Sequence, residues 1–185
     1  MKRFTVAALA IFLAMIPVAP QAAEETSQSA APAASVTALL ERLKLDAIVA
    51  RDPEVPGHYV AALYIQGSQL LVLSAPYAVP AALDKMIAEG KFMDAYQSIQ
   101  GVASHKGHFF VIDMQGDGLK RACEPDQPFD STTMDGGTPI SFDGKWEPQK
   151  LTEREYNLQF AKDDARYARM LQLLARELGK KTTTP

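Results

Sequence analysis

The hydrophobic positions of this 185-residue chain change their period several times, and each change predicts an element. Phe4 through Val18 is a near-continuous apolar run behind the basic pair Lys2-Arg3, and it closes on Pro17, Pro20 and Ala22-Ala23. That is the layout of an export signal: charged start, apolar middle, small residues at the cut. Behind Ser35, a residue suited to cap a helix, Val36, Leu39, Leu40, Leu43, Ala47 and Ile48 recur at helical spacing. They predict one amphipathic helix ending before Asp52-Pro53. The residues then turn β-branched, aromatic and leucyl. His58–Ile65 and Gln69–Ala75 read as strands joined by the turn residues Gln66-Gly67-Ser68. Leu70 to Leu73 are apolar at every position, so the second strand is expected to lie centrally, covered on both faces or paired with a partner chain.

Helical spacing returns after Pro80, with Ala82, Leu83, Met86 and Ile87 up to Gly90, and continues through Phe92, Ala95, Tyr96 and Ile99. This predicts two helical pieces or one kinked helix. His108–Asp113 reads as a third strand, with Gly116-Asp117-Gly118 turning the chain back through Leu119–Cys123. From Glu124 to Thr138 the polar composition predicts a long loop. Ile140-Ser141-Phe142, Asp143-Gly144 and Lys145-Trp146 read as a second tight hairpin. The last element is the most sharply marked: Thr152 and Glu155 form a capping box, and Tyr156, Phe160, Tyr167, Met170 or Leu171, Leu174 and Leu178 carry a stripe to Gly179. Its opposite face, with Lys162, Asp163, Arg166, Arg169 and Arg176, is expected to be solvated and paired within the helix.

The predicted order α-β-β-α-β-β-β-α, with short hairpins, places the chain in the α+β class: an antiparallel sheet of about five strands flanked by helices, the last one long. From Ser35 to Gly179 this order resembles that of roadblock, longin and profilin-type domains, which are mostly interaction modules. The likeness is one of topology and implies no site residues.

The segments follow. Residues 1–23 are the signal peptide, 24–35 a flexible Ala/Ser/Pro/Glu linker, 36–181 a single domain, and 182–185 a disordered tail. The expected location is periplasmic or secreted, with no transmembrane segment once the signal is cut. Removal takes Lys2 and Arg3 away, so 17 basic residues face 22 acidic ones, a net charge of −5. That sign argues against a nucleic-acid partner, for which a basic surface supplies most of the affinity. Cys123 is the single cysteine, so no disulfide can form within the chain and a hydrophobic core must hold it.

Four constellations could carry chemistry. Asp113, Gln115, Asp117, Gly118 and Glu124 approximate the spacing of a calcium loop, with Asp at positions 1 and 5 and Glu at 12. Gln115 at position 3, Lys120 at position 8 and the strand-like residues before Asp113 depart from that pattern, and a strand-turn-strand uses the same residues. His58, His105 and His108, with Asp113, supply donors of the type zinc takes, though at no established spacing. Ser104-His105 has the residue types of a hydrolase pair but no GxSxG around it. Tyr77 after Pro76 and Trp146 beside the Asp143-Gly144 turn are the aromatics expected at a contact surface. The function expected is therefore that of a binding or interaction module of the bacterial cell envelope, through self-association or with another envelope protein. The alternative is a metal-dependent enzyme or ion-binding protein, with Zn or Ca held in the 105–124 region.

Overall fold

The computed structural model describes residues 27–65, 67, 69–76, 85–86, 89, 91, 94–95, 97–98, 107–120, 131–135, 138–141 and 151–182. Helix α1 (Ala30–Leu43) leads into strand β1 (Ala47–Arg51), followed by β2 (Tyr59–Ile65), β3 (Gln69–Ala75), β4 (Phe109–Asp113), β5 (Ser131–Asp135) and β6 (Thr138–Ser141), and the chain closes with helix α2 (Glu153–Thr182). The strands form one sheet in the order β1-β2-β3-β4-β5-β6, every neighbouring pair antiparallel. The α+β class and the antiparallel sheet are as the pattern predicts. Among the described residues the sheet has six strands, and one that the pattern does not predict lies at the front.

That strand comes from the predicted first helix. The helix stops at Leu43 because Lys44 turns left-handed at φ 54°, and the N–H groups of Lys44 and Leu45 bond back to Glu41 and Leu40. This is a Schellman closure built without the usual glycine. Ala47 and Ile48, counted as helical by spacing, are the first residues of β1 instead, paired with Leu63 and Ala62. The start moves as well. The helix begins at Ala30, inside the stretch read as a linker, and Ser35 is an exposed position within it.

The sheet is covered on both faces. Val60, Ala62, Leu70, Val72, Phe109 and Val111 point towards α1 and α2, where Val36, Leu40, Tyr167, Leu171, Leu174 and Leu178 complete one core. Leu63, Leu71, Leu73 and Phe110 face the other way and pack with Met86 and Ala95, both of them helical. Strand β3 accordingly runs buried at six of its seven positions, which explains its continuous apolar sequence.

Towards the C-terminus, β5 occupies part of the predicted long loop. Its residues Ser-Thr-Thr-Met-Asp look loop-like by polarity, but they pair with β4 from Phe109↔Asp135 to Asp113↔Ser131. Two residues, Gly136 and Gly137, separate β5 from β6, a hairpin that the pattern does not predict, while the Asp143-Gly144 turn lies outside the described residues. Residues 118–120 are irregular rather than strand, while the remainder of the predicted return strand, with Cys123, and the Lys145-Trp146 segment lie outside the described residues. Helix α2 has the expected capping box: Thr152 N–H donates to Glu155 Oε2 at 2.8 Å, and Glu155 N–H donates to Thr152 Oγ1 at 3.3 Å. It runs through Gly179 to Thr182. Among the described residues, no helix is long and apolar enough to cross a membrane.

Candidate functional site

A dense polar cluster lies at the end of β4, where the sequence pattern places the first acid of its calcium-like loop. Asp113 is fully buried. Its Oδ1 accepts the N–H groups of Gly116 and Asp117 at 2.9 and 3.1 Å, and its Oδ2 accepts Gly118 N–H at 2.8 Å and the Tyr167 hydroxyl at 3.0 Å. A carboxylate that folds back on its own turn in this way closes the chain reversal that the two glycines begin. Burial pushes the Asp113 carboxyl up to about 6, against the pull of the Gly118 N–H, the Tyr167 hydroxyl and the Asp117 N–H. The Tyr167 hydroxyl is itself raised well above its ordinary value, first by burial and then by the charge of Asp113.

The glycines of this turn have a packing reason. Gly118 sits at φ +99°, and a Cβ there would stand 2.6 Å from the N and Cα of Ala30. At Gly116, φ +68°, it would stand 2.5 Å from Thr37 Cγ2. The turn is therefore the seat on which the first half of α1 rests. The seat is fastened from α2. Asp164 accepts Ser27 Oγ–H (2.7 Å), Gln28 N–H (2.6 Å), Ser29 N–H (3.0 Å) and Ser29 Oγ–H (2.6 Å). Ser29 Oγ in turn accepts Leu119 N–H at 2.9 Å. The N–H groups just ahead of the first turn, those of Gln28 and the N-cap residue Ser29, thus bond to a carboxylate on α2, 135 positions from Ser29, while Ala30 N–H bonds locally to Ser27 O.

Neighbouring Asp163 points about 100° around the helix and does separate work. It accepts Thr133 Oγ1–H of β5 at 2.6 Å and Gln159 Nε2–H at 2.8 Å. Burial raises its carboxyl above the ordinary value, opposed by the Thr133 and Gln159 hydrogen bonds. The charged face of α2 is likewise engaged with the sheet, where intrahelical pairing in solvent was the expectation. Arg169 forks onto buried Asp52 at 2.7 and 3.0 Å and reaches Glu54 at 3.3 Å. Its hydrogen bond is the main cause holding the Asp52 carboxyl below its ordinary value. Arg166 stacks over the Phe109 ring, 4.1 Å from the centroid, beside Asp135 at 3.5 Å. The interior apolar surface leaves arginine the means to pay for its position through its flat guanidinium face.

The other described candidates, Gln115, Asp117, His58 and His108, do not bring their side chains into this cluster. Gln115 is exposed, and Asp117 turns outward to Lys120 at 2.6 Å while its Oδ1 is buried with no hydrogen-bond partner. His58 and His108 flank strands on either side of β3 at the same end of the sheet. Side chains at 60 and 62 of β2 face the helices with 109 and 111 of β4. Strand alternation carried back from these positions sends His58 and His108 to opposite faces. His108 is buried, and His58 Nδ1 is a buried atom with no hydrogen-bond partner. Among the described residues, no three His, Cys, Asp or Glu side chains come within reach of one ion. His105, Glu124, Tyr77, Trp146 and Ser104 lie outside the described residues.

A shallow cleft of about 360 Å³ opens between the C-terminal end of α1 and β2, lined by Leu40, Glu41, Lys44, Leu45, Asp46 and Tyr64. The Tyr64 hydroxyl donates to Glu41 Oε1 at 2.6 Å across it. No protein-family model matches the chain, and neither the curated proteins nor the solved structures contain a significant match to it.

Proposed function

We propose that the protein is an exported α+β domain that acts by binding, through self-association or with another protein of the bacterial cell envelope. The observation that carries this reading is the use of the buried carboxylates. Among the described residues, the buried carboxylates Asp52, Asp113, Asp163 and Asp164 each direct both oxygens at the domain's own N–H, O–H or guanidinium groups, so these four are architectural. Function then falls to the surface. The signal-like start of the chain supports export, and the weakly acidic balance supports a protein rather than a nucleic-acid partner. Cross-linking followed by affinity recovery, with Tyr77→Ala and Trp146→Ala, tests the aromatic contact surface, and light scattering separates a second copy from a different partner. Unchanged recovery with both variants counts against that surface.

A second reading, an ion-binding protein or metal-dependent enzyme using Zn or Ca in the 105–124 region, is supported by two buried atoms without hydrogen-bond partners, Asp117 Oδ1 and His58 Nδ1. Thermal unfolding of the chain starting at Glu24, with EDTA, Ca²⁺ and Zn²⁺ added in turn, tests it. An ion present at about 100 times its Kd stabilises by roughly 2.7 kcal/mol, a shift of several degrees for a domain of this size. A selective rise with Ca²⁺ favours Asp113, Gln115, Asp117 and Glu124, and one with Zn²⁺ favours His58, His105 and His108. Melting that is the same in all three conditions removes the reading.

A further inference from the structure

We infer that residues 27–32 form a strap that Asp164 fastens to α2, and that this strap opens as a unit of its own while the sheet stays folded. Its setting, the newly cut end of an exported chain, rests on the export reading; the strap itself rests on the geometry. The fastening is polar throughout. Asp164 takes four hydrogen bonds from Ser27, Gln28 and Ser29, and Ser29 Oγ passes the contact on to Leu119 N–H beside the Gly118 seat. The apolar anchors begin only further along α1, with Ala33, Val36 and Leu40, all fully buried. Between the clasp and these anchors lie Ala30, Ala31 and Pro32, which bring little apolar surface. Losing the clasp therefore frees the strap while the α1 anchors Ala33, Val36 and Leu40 keep their places, which is the condition for a local opening distinct from global unfolding.

The strap also has no cap of its own. Ser29 stands at the cap position but makes no side-chain bond to the first turn, because its hydroxyl is directed at Asp164. Release of Asp164 leaves the Gln28 and Ser29 N–H groups without acceptors, and a first turn in that state frays. Ser27 lies four positions after Ala23, the last residue of the predicted signal. An enzyme trimming the exposed end thus meets a fastened chain within a few residues, and Asp164 sets how far it can proceed.

The test is native-state hydrogen exchange on the chain as purified from cells, followed by peptide mass analysis, in the parent and in Asp164→Ala. The expected result is exchange at least ten-fold faster in peptides covering 27–36, with β2, β3 and β4 unchanged. Unchanged exchange in 27–36, or equal acceleration across the strands, overturns the inference. Asp164→Asn keeps one acceptor oxygen and gives a smaller acceleration confined to the same peptides; if Asp164→Ala fails to fold, this variant is judged by the same two criteria. The intact mass of the purified chain reads the export proposal separately: a chain that retains residues 1–23 removes the setting and leaves the exchange result standing.

Discussion

Substituting Gly118 by Ala tests whether α1 is seated on the Asp113 turn. Two costs combine there. At φ +99° an L side chain is strained, at about 1–3 kcal/mol. Its Cβ would also meet Ala30 N and Cα at 2.6 Å and the Ser29 carbonyl carbon at 2.9 Å. These are backbone atoms held by the Asp164 clasp, so no rotamer change relieves the overlap, and a forced shift of this kind costs about 1–3 kcal/mol more. Gly67→Ala is the control. Gly67 has φ +70° and nothing within 4 Å of an added Cβ, so only the conformational cost of about 1–2 kcal/mol applies. Urea unfolding of both variants should place Gly118→Ala about 2 kcal/mol or more below Gly67→Ala, with equal m-values. In thermal unfolding that gap corresponds to roughly 4–8 °C. Equal losses in the two variants, with hydrogen exchange in residues 27–36 of Gly118→Ala as slow as in the parent, would mean that α1 does not rest on this turn, and the account of the turn and its clasp would fail together.

Further predictions concern the buried acids. Because the folded pKa of Asp113 is raised to about 6 from 3.8, the folded state binds a proton that the unfolded state does not hold between those values; stability should rise as the pH falls through that window, by at most about 3 kcal/mol. Asp113→Asn should lack this rise when urea unfolding is repeated at pH 7, 6, 5 and 4, and the same slope in both chains would show that the donors keep Asp113 ionised. Asp52 has the opposite sign: its pKa is lowered, so its stabilisation is present above 3.8 and is lost as the pH falls through the depressed value. Arg169→Ala leaves Asp52 buried without its fork and should cost about 2–4 kcal/mol at pH 7, a loss that shrinks below pH 3.8 in acid unfolding curves. Tyr167→Phe removes a donor that lowers the Asp113 pKa, so the Asp113 carboxyl carbon should titrate at higher pH by NMR than in the parent chain.

Much of this fold is legible along the chain because the features that mark it are local. The β2–β3 hairpin, the apolar run of β3 and the Thr152–Glu155 box each rest on residues a few positions apart. The errors fall where a distant residue replaces a local signal. The start of α1 is easily missed because Ser29, a residue of capping type, makes no local cap bond and turns its hydroxyl to Asp164, at the other end of the sequence. Its end carries no glycine because Lys44 adopts the left-handed conformation, so the helical spacing ran on into β1. Strand β5 is hidden by its hydroxyl residues, one of which, Thr133, is fully buried and bonded to Asp163. The candidate site divides in the same way. Asp113 and its glycines are visible as a turn, but Tyr167 stands 54 positions away and nothing in the local pattern joins it to them.

The adjacent pair Asp163-Asp164 gives α2 a property that its apolar stripe alone would not supply. One carboxylate addresses β5 and the other the start of α1, so the two bonds fix both the rotation and the axial position of the rod. An apolar stripe tolerates small slips, because one leucine can take the place of another. Two divergent hydrogen-bonded acids cannot be satisfied together after a shift of even one residue. A single-residue insertion or deletion between Phe160 and Tyr167 would turn one half of the helix by about 100° relative to the other and break the match to Asp113, Thr133 or Ser29. The same change in the solvent-facing first turn, at Arg154 or Glu155, would leave all three bonds in place, so variation in the length of this helix should be confined to its ends.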